Sequence, residues 1–155
     1  MNTLLHNSLS AKAQPKILAF GAGEAQTLLT HTITWKTTAS DTNGLYAMFE
    51  MVDRAGGGAP VHSHPWEETF YILAGEIEIL LEDRREVCGA GAVVHIPADV
   101  VHAFQVVSPV AQALVIMAPG DVEGFYREAS DKLTTLPPDP FVMKEIADKY
   151  NLKLL

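Results

Sequence analysis

Apolar and polar residues alternate at short range along most of this chain, and the alternation predicts strands. The segments "KILAF", "TLLTHTITWKTT", "LYAMFEMV", "VHSH", "ETFYILA", "EIEILLE", "AVVHI", "VHAFQVV" and "AQALVIMA" each read as one strand. In the second of these, Ile33 and Trp35 fall on one face. "ASDTNGL" reads as a turn, with Asn43-Gly44 supplying the positive φ of a tight hairpin. "DRAGGGAP" is too rich in glycine for regular structure and reads as a loop. Many short strands joined by short turns predict a sandwich or a barrel. The pattern changes after Pro119. "DVEGFYREAS" predicts a short helix with Asp121 near its start, and "LPPDP" interrupts it. In "DPFVMKEIADKYNLKLL", Asp139 is placed to cap a second helix with Pro140 as its first residue. Phe141, Ile146 and Tyr150 are expected on its apolar side, packed as scaffold against the outside of the barrel. The expected division is an N-terminal arm over 1–15, a barrel over 16–119, and a helical extension of the same domain over 120–155.

Composition narrows the function classes. A chain of 155 residues, 48% hydrophobic, is long enough to bury one core. A net charge of -8 argues against a nucleic-acid surface, which needs clustered Lys and Arg. The single cysteine, Cys88, expected in a turn, excludes an intrachain disulfide and a cysteine-rich zinc cluster. "MNTLLHNSLSAKAQPK" lacks a basic start followed by a long apolar run, so no signal peptide is expected. No apolar run reaches about 18 residues, so no membrane span is expected either. A cytoplasmic protein is the expectation.

The candidate chemistry lies in "GGGAPVHSHPWEETFYILAGE". Alternate residues of a strand share a face, so His62 and His64 point one way and Ser63 the other. Glu68 has their parity and Glu67 does not, although Pro65 disturbs the ladder between them. Two imidazoles and a carboxylate form a ligand set for non-haem iron and related divalent metals. The same spacing also fits two surface histidines flanking a turn. A second stretch, "GAVVHIPADVVHAFQVV", carries His102 in an apolar run, where a lone histidine is more often a hydrogen-bonded core residue.

Together the two stretches resemble the two-part motif of the cupin superfamily, G-x5-H-x-H-x3-E-x6-G and G-x5-P-x-G-x2-H-x3-N. Gly56, His62, His64, Glu68 and Gly75 fill the first part, and Gly91, Pro97 and His102 fill most of the second. Asp99 stands at the motif's second glycine, where it is expected to tolerate the turn. Val106 replaces the asparagine and makes the pocket more apolar. The resemblance covers roughly residues 34–119 and implies an all-β fold, a jelly-roll barrel with the metal inside. It implies His62, His64, Glu68 and His102 as ligands to a divalent transition metal, with iron, manganese or nickel favoured and zinc or copper also compatible. A six-coordinate ion would keep two open positions for water, substrate oxygen or dioxygen.

By parity, Phe70, Ile72, Phe104, Val106, Met48 or Phe49, and Met51 are expected on the pocket wall, although core packing explains the same residues. Such a wall suits an apolar or aromatic ligand. Basic residues are sparse within the strands, which disfavours a small dianion. His95 reads as structural, with a pocket-facing general base as the alternative. Tyr71 and Trp66 are candidates for the pocket rim. The resemblance is to single-domain bacterial cupins of the quercetin-dioxygenase-like kind. It implies a metal-dependent dioxygenase-like enzyme acting on a small oxygen-bearing substrate, with Glu68 serving also as base. A non-catalytic binding module and a metal isomerase or lyase remain as alternatives, because fold does not fix function. A homodimer through edge strands is expected.

Overall fold

The computed structural model describes residues 13–155, so most of the expected N-terminal arm lies outside the described residues. Among these, the alternation resolves into strands β1 (Glu24–Leu28), β2 (His31–Thr37), β3 (Ala47–Arg54), β4 (Gly58–Ser63), β5 (Glu67–Ala74), β6 (Glu76–Leu81), β7 (Arg84–Gly89), β8 (Val93–Ile96), β9 (His102–Val106), β10 (Val110–Ala118) and β11 (Lys153–Leu154). Two helices follow the barrel strands, α1 (Glu123–Lys132) and α2 (Pro140–Lys149).

The strands form two antiparallel sheets, ordered β1-β2-β3-β10-β5-β8 and β11-β4-β9-β6-β7. Their inner faces meet in one core. Ile33 and Trp35 of β2, Phe49 and Met51 of β3, Phe70 and Ile72 of β5, Ile77 and Ile79 of β6, and Val115 and Met117 of β10 are all buried at every second position. The period-two pattern of each strand therefore becomes one wall of an all-β barrel. Gly58 shows how closely the strands approach. A Cβ there would sit 2.0 Å from the Phe104 carbonyl oxygen, at a φ of +155°.

Several expected elements differ. "KILAF" is not a strand. Ile17 and Phe20 are fully exposed, and no neighbouring strand offers them a ladder. "TLLTHTITWKTT" is a hairpin rather than one strand, because Leu29 adopts a positive φ of 55° and turns the chain so that Leu28 pairs with His31. A leucine rarely takes that conformation, so no glycine or asparagine marks the turn. "DRAGGGAP" is partly regular, since β4 starts at Gly58. Cys88 lies in β7, paired with Ile77, not in a turn.

Asp139 caps α2 as expected, accepting hydrogen bonds from the Phe141 amide at 2.8 Å and the Val142 amide at 3.2 Å. Phe141, however, is 84% exposed. It lies five residues before Ile146, which turns it well off that face. The packed face is Val142, Met143, Ile146, Ala147 and Tyr150. α1 packs on the core through Phe125, Tyr126 and Ala129, joined by Leu133 just past its end. Arg127 ties it to β1 with a two-pronged ion pair to Glu24, at 2.8 and 3.0 Å. Among the described residues, no helix is long and apolar enough to cross a membrane.

Replacing Asp139 with Ala should cost about 1 kcal/mol of stability through the lost cap. Ile146→Ala should cost about 3 kcal/mol through a buried cavity. Phe141→Ser should be nearly neutral, and urea unfolding of the three variants checks the order.

Candidate metal centre and its pocket

His62 lies in β4 directly opposite His102 in β9, and their ring centroids are 4.2 Å apart. The pairing depends on an irregularity in β4 between Ala59 and His62, where three steps on β4 match two on β9. Pro60, with no N–H to donate, sits in this interval. His64 follows the strand, and the chain then crosses to the other sheet, where Glu68 in β5 lies between Met117 of β10 and Ile96 of β8. The turn before His102 holds Asp99 at a φ of 65°, the left-handed conformation expected there. The Asp99 amide donates to the His64 carbonyl at 2.7 Å, which ties that turn to the ligand segment.

All four side chains are buried. Each histidine places Nδ1 against a backbone carbonyl. His62 meets Pro60 at 2.6 Å, His64 meets Trp66 at 3.0 Å, and His102 meets Val100 at 2.8 Å. A carbonyl can only accept, so Nδ1 carries the proton in all three rings and Nε2 is left with its lone pair. The donor atoms of the three rings lie within 4.8 Å of one another. Glu68 Oε2 joins them at 3.2 Å from His64 Nε2 and 3.6 Å from His102 Nε2. His102 Nε2 is buried without a hydrogen-bond partner. Neutral imidazole lone pairs facing a carboxylate repel, and a cation at their centre satisfies them all. The donor set, three nitrogens and one oxygen, fits a divalent transition ion.

The electrostatics agree. Burial, aided by the neighbouring His102, lowers the His62 pKa to about 4, so its ring stays neutral. Tyr126 of α1 donates to Glu68 Oε1 at 3.0 Å. Burial, then the adjacent carboxylate, push this phenol well above its usual pKa, so it remains a donor. The sequence reading missed Tyr126, because 58 positions separate it from Glu68 and no local pattern links them.

A cavity of about 120 Å³ adjoins the cluster, and none of its lining residues is Lys or Arg. Of the expected wall residues, Phe70, Phe104 and Met51 line it. Ile72 and Val106 are buried in the core but do not line it. Met48 projects from the opposite face of β3, because the register turns Phe49, Met51 and Asp53 inward. Phe49 lines the cavity in its place. Trp66 lines the cavity as expected, but from a buried position rather than at an open mouth. It is buried and stacks on His64, with centroids 4.1 Å apart and planes within 5°. Tyr71 is 43% exposed and does not line the cavity. His95 is exposed on β8 and pairs with Thr69 at 2.9 Å, so it is no pocket base. The helices are more than outer scaffold: Phe125, Tyr126, Ala129 and Leu133 and, from α2, Met143 line the cavity.

A double-sheet barrel with a buried three-histidine cluster on its inner wall is an arrangement suited to holding a metal. The family model described as "Cupin domain" matches residues 49–119, and together with the fold this supports a cupin superfamily protein. It is similar to quercetin 2,3-dioxygenase of Bacillus subtilis (strain 168), 23% identical over 150 residues, and covers 96% of this chain and 44% of that protein. The chain thus spans less than half the length of that curated relative. Among solved structures it is similar to the polyketide cyclase RemF from Streptomyces resistomycificus, with 25% identity and a TM-score of 0.59 over 67% of this chain and 79% of that one. A cupin from Shewanella frigidimarina NCIMB 400, described as RmlC-like, shares the fold at 17% identity and a TM-score of 0.62, covering 72% and 98% of the two chains.

Tyr126→Phe removes the hydrogen bond that orients Glu68 and should weaken binding of Mn²⁺ to metal-stripped protein by about 10–100-fold. His95→Ala should leave it unchanged. Calorimetric titration measures both, and an unaltered Tyr126→Phe affinity would leave the phenol without a role at the centre.

Proposed function

We propose that this cupin holds a divalent transition metal through His62, His64, Glu68 and His102 and is an oxidoreductase of the dioxygenase kind. Its substrate is small, apolar or aromatic, and carries an oxygen that it presents to the centre. The observation that carries this reading is the apolar cavity beside a buried cluster of three histidines, with the Glu68 carboxylate next to two of them. The similarity to a quercetin dioxygenase supports the reaction class. The cavity volume favours a substrate near one ring in size, since an apolar cavity of about 150 Å³ accepts benzene. A three-ring flavonol exceeds it.

In this scheme Phe49, Met51, Phe70 and Phe104 hold the apolar body of the substrate and exclude water. The three imidazoles stay neutral and keep Nε2 directed at the centre. Tyr126 donates to Glu68 Oε1 and so keeps Oε2 turned toward the histidines, where it would serve as a metal ligand. A bound iron, manganese or nickel ion supplies Lewis acidity and redox chemistry toward dioxygen.

A second reading is favoured by the similarity to a polyketide cyclase, namely a metal-dependent isomerase or lyase reaction that consumes no oxygen. An oxygen electrode separates the two. Protein reloaded with Fe²⁺, Mn²⁺ or Ni²⁺ should consume O2 with single-ring catechols or enolisable ketones, and Glu68→Ala should slow this by at least about 100-fold. Product formation without O2 uptake would replace the dioxygenase reading with the second one.

A further inference from the structure

The same cavity has a second polar feature, set into its wall apart from the histidine cluster. His31, at the start of β2, lines the cavity and packs its ring against Phe104 at 5.7 Å. Behind it lies Asp53 of β3, whose side chain is 0% exposed. Asp53 Oδ2 accepts from Thr30 Oγ1 at 3.1 Å, and Oδ1 accepts from the Arg54 amide at 2.8 Å. The loop beyond makes room for this carboxylate, since a Cβ on Gly57 would fall 2.0 Å from Asp53 Oδ2. His31 Nδ1 lies 2.6 Å from Oδ2. The contact is bent, short of regular hydrogen-bond geometry. At that separation two lone pairs would repel, so Nδ1 carries a proton, and in the neutral ring Nε2 keeps the lone pair. Among the described residues no protein group bonds to His31 Nε2.

A buried carboxylate with no Lys or Arg beside it costs several kcal/mol unless it is well bonded. Here a hydroxyl, an amide, an imidazole and a glycine are arranged around one, and the result is a histidine held with its acceptor nitrogen unused. We propose that His31, clamped by Asp53, is a second polar anchor of the pocket and accepts a hydrogen bond from a hydroxyl on the end of the ligand remote from the metal centre. The inference rests on the reading of a small substrate held at that centre. His102 stands two residues from Phe104 on β9, about 7 Å along the strand. The ligand is therefore a bifunctional molecule, with an oxygen at each end of an apolar body about one ring long.

The test uses the full chain loaded with zinc, under nitrogen, and three probes: phenol, 4-methoxyphenol and 1,4-dihydroxybenzene. Only the last can bring one oxygen to the metal and donate from the other. Titration calorimetry should show it binding about tenfold tighter than 4-methoxyphenol, the value of one buried hydrogen bond. His31→Asn keeps a donor at the Nδ1 position toward Asp53 and removes the cavity-facing nitrogen. It should abolish the preference while zinc content and phenol affinity stay native. His31→Gln, which carries an amide oxygen to the Nε2 position, should restore part of it. A native chain that binds both disubstituted probes equally overturns the anchor alone, without recourse to any variant. An Asn variant that retains the preference overturns it too. A native chain that takes up neither zinc nor phenol overturns the metal-pocket reading and this inference with it.

Discussion

Three imidazoles that donate Nδ1–H to carbonyls two residues away are the constraint around which the barrel is organised. Once those protons are committed, three Nε2 lone pairs must face inward, toward a buried carboxylate. Such a convergence is unfavourable without positive charge at its centre, because a buried anion costs several kcal/mol unless it is paired. The local departures from regular structure serve this geometry. The irregularity at Pro60 brings His62 opposite His102. The left-handed turn at Asp99 grips the His64 carbonyl. The crossing between β4 and β5 carries the ligand set from one sheet to the other, so the centre also joins the two sheets.

The helices belong to the same construction. α1 is fastened at its outer side by Arg127, which pairs with Glu24 and Glu123 and lies 5.2 Å from the Trp35 ring. Partly exposed ion pairs of this kind contribute at most about 1 kcal/mol each. The larger hold comes from burying Tyr126, Ala129 and Leu133 against the barrel. Tyr126 thus both lines the cavity and donates to Glu68. Opening of α1 would expose the pocket and release the carboxylate together.

What was legible in the sequence was what depends on short spacing. His62, His64 and Glu68 lie two and four residues apart, and strand parity alone aims the first pair; His102 enters through a second short motif that starts at Gly91. The turn at Asp99 and the cap at Asp139 are local too. The rest depends on long-range register. Whether Met48 or Phe49 faces inward follows from the pairing of β3 with β10, which parity cannot supply. Tyr126 reaches Glu68 from a different element. His31 and Asp53 did leave a trace. Each ends an alternating apolar stripe, His31-Ile33-Trp35 and Phe49-Met51-Asp53, and an ionisable residue in line with such a stripe is a candidate for a buried role. Phe141 failed for a simpler reason: a step of five residues does not return to the same face of a helix.

Charge accounting bounds what the pocket can admit. A divalent ion with three neutral imidazoles and one carboxylate keeps one net positive charge, and the cavity wall offers no Lys or Arg to add another. One substrate oxyanion neutralises the centre; a second would lie unpaired in an apolar box, where its desolvation would go uncompensated. Under the proposed function, dianions and sugar phosphates would be disfavoured on this ground, independently of their size. Volume alone discriminates weakly, since one methylene is worth only about 1–3 kcal/mol. Buried polar atoms left without partners discriminate more strongly. Among the described residues such atoms are His102 Nε2, Trp66 Nε1 and His31 Nδ1, on residues that line or adjoin the cavity, so under the proposed function the pocket would select where a ligand carries its oxygens as well as how large it is.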